Sequence, residues 1–462
     1  LEVAEMTEHD GNALVIGPGP VTLSQGPAFQ YMAARGCAIL RQLGKRVLVL
    51  EDNPATLMDI GGEAEGLFVE PAAVEVMQRI VEYGQVGSIW YGFGGRRSWL
   101  LAMRLAREEW YEHTGIMAPD MDDRTLWQCG DRSLLREALE QGGISNPSFH
   151  AVRSLREGQE AAERLGFPVV VRPHFSCGGC GAGLAYNLED YPTLLEEAMR
   201  ESLTGEVLVE EALDGWRKYI ALLLRDVDGR TSVVGVLEQL EPLPLHDEDA
   251  VLVYPPQRCG RDGEYAVREL ARKTVEVLDL QGVVEVKLAA APGWESLYVI
   301  DVNPRPWRAA PLLETARGID LLRAHVSLVT GKIMPQEYCD LETERPSWAV
   351  VATPSPSFLD EAGGEGYLSL ASRSMGRGFF RGSDMPAAAS CAVGCLRRNT
   401  RAAASARIMH TLSGLLREGG RGEAAGVVST GPPRVETQAS FCISRPAETA
   451  LKNGVMLVAG DN

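Results

Sequence analysis

PVVVRPHFSCGGCGAG (residues 168–183) carries an apolar β-branched strand through Arg172 and His174 into a glycine-rich loop that holds Cys177 and Cys180. Three readings compete: a phosphate cradle, a metal or redox site, and a flexible hairpin. A guanidinium at a strand end, followed by the free amides of Gly178 and Gly179, suits the phosphates of a nucleotide. A surface hairpin with Arg172 paired to a carboxylate accounts for the same residues. No G-x-x-x-x-G-K-[ST] pattern occurs here, so the loop is not a Walker-type cradle. Paired glycines between the two cysteines fit a tight backbone better than a helix-borne redox pair.

Upstream of this loop, NALVIGPG (12–19) reads as a buried strand entering a glycine turn. A helix is predicted over about 24–43, then a second apolar run, KRVLVLEDNP (45–54), and a later strand, GSIWYGFGG (87–95). Strand, turn, helix and strand in that order form the first half of a doubly wound layer. A dinucleotide fingerprint fails, because its third glycine would fall at Thr22 and Pro18 and Pro20 fix the turn. Glu51 nonetheless stands where a ribose-binding acid would sit. Arg96 and Arg97 in WYGFGGRRSW fit an anion site and a surface turn equally well.

A second unit is predicted to begin near residue 125. DRSLLREALEQ (131–141) opens a helix with Asp131 as its cap, and DYPTLLEEAMRESL (190–203) is another. Strands are expected at EVLVEEAL, KYIALLLRD, TSVVGVLEQ and AVLVYP. An amphipathic helix, EYAVRELARKTVEVLDL (264–280), precedes two more strands, GVVEVKLAAA and SLYVIDVN. Beyond about residue 345 the chain turns rich in Ala, Gly, Ser and Arg. A helix is expected around 385–417, and REGGRGEAAG with the segment after it is expected to hold little order.

At 462 residues and 45% hydrophobic, the chain is long enough for about three domains. Its net charge of −18 argues against nucleic acid or a membrane surface as partner, both being polyanionic, but leaves room for a local basic pocket. No stretch is apolar enough to span a bilayer and no leader is evident, so a cytoplasmic location is expected. Nine cysteines are too sparse and irregular for a disulfide scaffold; Cys177/Cys180 and Cys391/Cys395 match no familiar zinc module and are expected to be reduced thiols.

The decisive cluster is DVNPR (301–305). Asp301 and Asn303 lie two apart on a strand, so both oxygens share a face, as Mg²⁺ bridging two phosphates requires. Arg305 and Arg308 follow and could bind a transferring phosphoryl group or an anionic substrate. A solvated turn is the plain alternative, made less attractive by the apolar strand SLYVI just before it.

Taken together, these stretches resemble one synthetase half of the carbamoyl phosphate synthetase large subunit, within the ATP-grasp superfamily. The resemblance runs from about residue 12 to about residue 335. It rests on DNPATLMD (52–59), FVEP (68–71), RPHFSCGGCGAGLAYN (172–187), LVEEALDGWRKY (208–219), the LH of EPLPLHDEDA (245–246) and DVNPRPWR (301–308), all in family order. It implies an α/β and α+β fold: a Rossmann-like pre-ATP-grasp domain over 1–124 and a two-lobed ATP-grasp domain over 125–345. A partly helical region over 346–462 would serve as lid, dimer surface or tail.

The resemblance also implies roles. Arg132 and Arg172 match the groups that hold ATP phosphates, and Gly178–Gly179 the loop closing over them. Glu211 and Leu213 match the adenine-binding segment, and His246 a histidine near the phosphorylated intermediate. Asp301 and Asn303 match the family's metal-binding Glu-x-Asn, and Arg305 and Arg308 the arginines around the acyl phosphate.

Four departures cluster around the nucleotide. The ribose glutamate falls at Lys218, the second metal ligand at Lys287, the metal glutamate is shortened to Asp301, and a glycine becomes Glu248. An ammonium has three donors and no acceptor, so Lys287 either replaces one metal charge or leaves Glu285 to supply oxygen after a register change.

The implied activity is that of an ATP-dependent ligase using Mg²⁺ or Mn²⁺, joining a small-molecule carboxylate to an amine or ammonia through an acyl phosphate. A carbamoyl phosphate synthetase-like enzyme and a nucleotide-binding pseudoenzyme are the alternatives. A homodimer is expected; a glutaminase partner is open but not indicated.

Overall fold

The computed structural model describes residues 11–19, 26–54, 56, 58, 64–174, 181–202, 204–244, 250–307, 309–341, 349–354, 377–382, 384–390, 392 and 412. The N-terminal unit is built on a parallel sheet of order β3-β2-β1-β4, with β1 at Asn12–Ile16, β2 at Val47–Glu51, β3 at Gly66–Val69 and β4 at Val86–Trp90. Both faces are covered, which is why NALVI and VLVLE read as continuous apolar runs. Leu14, Ile16, Leu48 and Leu50 pack with α2 (Val74–Gly84) and α3 (Arg96–Arg107). Ala13, Val15, Val47 and Val49 pack with α1 (Gly26–Gln42) on the other side. That second cluster continues into Leu312, Leu313, Leu321 and Leu322 of helices α10 (Ala309–Arg317) and α11 (Leu321–Val329).

The turn after β1 is filled by protein. A Cβ on Gly17 would stand 2.4 Å from Glu51 Oε2, and Gly19, at φ +66°, lies against Asp52, which pairs with Arg97. Glu51 itself accepts from the Asn53 amide at 3.0 Å, so the acid expected near a ribose is instead tied into the turn.

Two further sheets follow. The smaller has order β5-β8-β6-β7, antiparallel, with β5 at Phe149–Val152, β6 at Val169–Pro173, β7 at Gly183–Ala185 and β8 at Val207–Glu211. Helices α7 (Leu155–Leu165) and α8 (Tyr191–Glu201) cover one face through Ala161, Ala162, Tyr191 and Leu195. The larger sheet has order β13-β12-β9-β10-β11-β14-β15. Its strands are β9 (Arg217–Arg225), β10 (Thr231–Gln239), β11 (Leu252–Tyr254), β12 (Gly282–Ala290), β13 (Leu297–Asn303), β14 (Ala349–Pro354) and β15 (Arg377–Gly382). Helix α9 (Gly260–Val277) packs Val267, Ala271 and Val275 on one face, while α10 and α11 take the other.

Strands β14 and β15 lie beyond residue 345 yet complete this sheet. Met385, Ala388, Ala389, Ala392 and Leu412 then bury themselves against Val251, Val253, Ala349 and Val351. Residues 385–390, 392 and 412 are helical, within the helix expected around 385–417; its other residues, REGGRGEAAG and both Cys177/Cys180 and Cys391/Cys395 fall outside the described residues. Among the described residues, Cys129, Cys259 and Cys339 are free thiols.

Candidate active site

Three elements are joined by charge: helix α6 (Arg132–Gln141), the small sheet and the edge of the large one. The helix starts where it does because the Asp131 carboxylate accepts from the Ser133 and Leu134 amides at 2.9 and 3.0 Å. His174, leaving β6, brings Nε2 within 2.6 Å of that same carboxylate, and its other ring nitrogen lies 3.1 Å from Thr204 Oγ1. Burial would raise the Asp131 carboxyl, but the His174 ring and the helix amides hold it below its ordinary value.

Arg132 and Arg136, four residues apart, project from one face of α6. Arg136 donates to Glu210 Oε1 at 2.6 Å and to the carbonyls of Val299 and Ile300 at 3.0 and 3.1 Å, bridging β8 to β13. Arg172 lies 3.0 Å from the second oxygen of Glu210. Burial pushes the Arg172 guanidinium below its ordinary pKa, helped by like charge on Arg132 and Arg136 and opposed by Glu210. For Glu210, burial pulls upward, but Arg136 and Arg172 outweigh it and the carboxyl is held low.

On the large sheet, register pairs Glu285 with Asn303 and Lys287 with Asp301 across β12 and β13, placing all four side chains on one face. The Asn303 amide nitrogen donates to Glu285 Oε1 at 3.3 Å. Lys287 Nζ lies 3.7 Å from Glu285 Oε1 and 3.6 Å from Asp301 Oδ2. Arg132 Nη1 approaches Asp301 Oδ1 at 3.8 Å. Although burial works the other way, Lys287, Arg132, Arg172 and Arg136 bring the Asp301 carboxyl down to about 2. Arg172 and Asp301 therefore act within one electrostatic cluster, in which Arg132, Arg136, Arg172 and Lys287 face Glu210, Glu285 and Asp301. Four cations thus gather at one point in a chain whose net charge is −18, a local concentration suited to an anion.

Beside the cluster lies an apolar platform of Leu213, Ala289 and Ile300, flanked by Trp216, Leu243 and Tyr298. The Trp216 and Tyr298 rings are 5.0 Å apart. Glu211 Oε1 accepts from the Ser148 amide at 3.1 Å. Lys218, 5% exposed, pairs in register with Ala289 and so borders this platform.

Arg305, whose backbone amide donates to the Asn303 carbonyl at 2.9 Å, is packed among aromatic rings. Its guanidinium carbon lies 5.4, 5.2 and 4.9 Å from the ring centres of Phe29, Trp99 and Trp307, and Nη1 donates to the Gly94 carbonyl at 2.8 Å. Two of those rings and the carbonyl belong to the N-terminal unit, so Arg305 pins it to the end of β13. Gly178, Gly179, His246 and Arg308 lie outside the described residues.

Sequence reasoning missed Arg136 and Glu210. The spacing of Arg136 from Arg132 and a charge at the end of an apolar strand were the available signals. Glu285 needs no register change to reach the site, since it already faces Asn303. For a cation, Asp301, Glu285 and Asn303 offer hard oxygen donors, the set that suits Mg²⁺ shared with phosphates. Among the described residues no group of three His, Cys, Asp or Glu forms a complete cage.

Comparison with known proteins agrees with this architecture. Residues 131–337 match the family described as carbamoyl-phosphate synthase L chain, ATP binding domain, and residues 9–123 match the carbamoyl phosphate synthase preATP-grasp domain. The chain is an ATP-grasp protein. It resembles one half of a carbamoyl phosphate synthase large chain. Against the "large chain, N-terminal section" of Aquifex aeolicus it is 29% identical over 336 residues, 72% of this chain and 60% of that one. Against the large chain of Pseudomonas syringae pv. tomato it is 30% identical over 320 residues, 69% of this chain and 30% of that one. The chain thus spans 60% of the first of these relatives and less than a third of the second. Among solved structures, biotin carboxylase from Campylobacter jejuni superposes with a TM-score of 0.65 at 13% identity, covering 88% of this chain and 96% of that one. The biotin carboxylase domain of Hydrogenobacter thermophilus 2-oxoglutarate carboxylase gives 0.66 at 14% identity, covering 87% and 94%. These structures share the ATP-grasp fold.

Proposed function

We propose that this protein is an ATP-dependent ligase that phosphorylates a small carboxylate and passes the acyl group to an amine or ammonia. A carboxylate is a poor electrophile because oxide would have to leave; phosphorylation supplies a competent leaving group. The observation that carries the reading is the cationic cluster of Arg132, Arg136, Arg172 and Lys287 beside the oxygen donors Asp301 and Asn303. Arg132 and Arg172 would bind the phosphates. Leu213, Ala289 and Ile300 would take the base, with Glu211 and Lys218 at its edge. Asp301 and Asn303 would hold Mg²⁺ or Mn²⁺, which when bound neutralises charge on the phosphates. Gly178 and Gly179 would close over the nucleotide and keep water out, with His246 and Arg308 near the acyl phosphate. Arg305, held in its aromatic cage, would position the junction between units beside the acyl phosphate.

The domains would run 1–124 and 125–345, with 346–462 contributing β14, β15 and the helix that packs on them. Bicarbonate or carbamate is the carboxylate that the family match favours. A homodimer in the cytoplasm is part of the same reading: the Hydrogenobacter domain is described as a dimer, and among the described residues no helix is long and apolar enough to cross a membrane. ADP release tests the reading. Release with bicarbonate alone supports a carbamoyl phosphate synthetase-like reaction, release needing another acid plus an amine supports a different ligase, and tight ATP binding with no ADP under any pairing would overturn catalysis.

A further inference from the structure

Lys287 is fixed where a cation would otherwise sit. Register sets it opposite Asp301 on one side and Ile220 on the other, it is 8% exposed, and its Nζ stands between Asp301 Oδ2 at 3.6 Å and Glu285 Oε1 at 3.7 Å. A Mg²⁺ bound by those two oxygens would need both at about 2.0–2.1 Å. Such an ion would lie close to the ammonium, which can donate but cannot ligate. Two positive centres so near each other, with the same two carboxylates to share, exclude one another. The oxygens left to a single ion are Asp301 Oδ1, which faces Arg132 Nη1 at 3.8 Å, and the side-chain carbonyl oxygen of Asn303, whose amide nitrogen donates to Glu285.

We propose that Lys287 replaces one divalent cation, so that nucleotide binds with a single Mg²⁺ held at Asp301 and Asn303. This rests on the nucleotide site proposed above and adds its cation count. The ammonium supplies a permanent single charge between β12 and β13, and it remains able to donate to a phosphate oxygen. Nucleotide binding should then keep a metal-independent component.

The test is equilibrium dialysis of the full chain with Mn²⁺ and AMP-PNP, counting bound metal and bound nucleotide in the same chamber. The expected ratio is one Mn²⁺ per AMP-PNP for the wild type and for Lys287→Arg, rising toward two in Lys287→Gln. A wild-type ratio of two overturns the proposal, as does Lys287→Gln unchanged at one. AMP-PNP that binds from a saturating Mn²⁺ solution yet carries no Mn²⁺ also overturns it while leaving the nucleotide site standing. Failure to bind AMP-PNP at all would defeat the nucleotide reading itself. If Lys287→Gln does not fold, a ratio of two in the wild type or in Lys287→Arg still overturns the proposal.

Discussion

Arg172, partly buried, and Arg305, buried, both come from motifs that suggest phosphate chemistry, yet their surroundings differ. Arg172 faces a carboxylate and two other arginines, all within an electrostatic network that reaches Asp301. Arg305 faces three aromatic rings and the Gly94 carbonyl, and its charge also acts on the buried Asp120 carboxyl. A guanidinium crowded by like charge gains from an incoming polyanion; one enclosed by π-faces is held mainly by those rings. Residue type and motif position are therefore not enough to assign a role, and the neighbours decide.

The contrast can be broken most directly at Arg172. Arg172→Ala should weaken ATP binding by about a hundredfold or more, on the order of 3 kcal/mol, with little loss of fold. Calorimetric titration with ATP checks it, and an unchanged affinity would move the phosphate site elsewhere. Arg305→Met should do the reverse. It should destabilise the fold by about 2–4 kcal/mol in urea unfolding while ATP affinity stays within a few-fold, because it removes the ring contacts and orphans the Gly94 carbonyl. A large loss of binding without destabilisation would return Arg305 to the nucleotide.

The acid Glu210 sharpens the same comparison through pH. Its carboxyl is held low in the fold, so its stabilisation is fully present above the unfolded value near 4.3 and is lost as pH falls through the lower folded value. Melting of the ligand-free chain should therefore soften below about pH 4, and Glu210→Gln, leaving Arg136 and Arg172 facing a neutral amide, should lower stability at pH 7 and flatten that acid limb. An unaltered acid limb would show that Glu210 is not what acid titrates. The smallest effect is expected at Lys218. If Lys218 has displaced ribose recognition, Lys218→Glu should tighten ATP binding by roughly two- to fivefold, at most about 1 kcal/mol. Weaker binding would give the lysine a role of its own.

Much of this was legible in the chain. NALVI, VLVLE and GSIW carried the parallel sheet because strands buried on both faces leave no polar alternation to hide them. Asp131 announced the start of α6, and DVN placed Asp301 and Asn303 on one face by strand period alone. What stayed hidden depends on long-range pairing. Nothing local in FPVVVRP says that Arg172 will meet Glu210 from the neighbouring strand, or that Phe29 and Trp99, some two hundred residues or more away in sequence, will cage Arg305. The strands at 349–354 and 377–382 were missed because the surrounding composition, rich in Gly, Ala and Ser, obscures their short apolar runs.

The apolar cluster linking Met32 and Leu40 with Leu313 and Leu322 is continuous, whereas the small sheet keeps its own, built on Val169, Val171 and Val209. Among the described residues the N-terminal unit and the large sheet share this seam, so swinging one away from the other would tear it, whereas the small sheet's core stands apart. Cutting the chain near residue 124 would bare one side of that seam to water, and such a fragment should come out of solution as aggregate where the uncut chain stays dispersed.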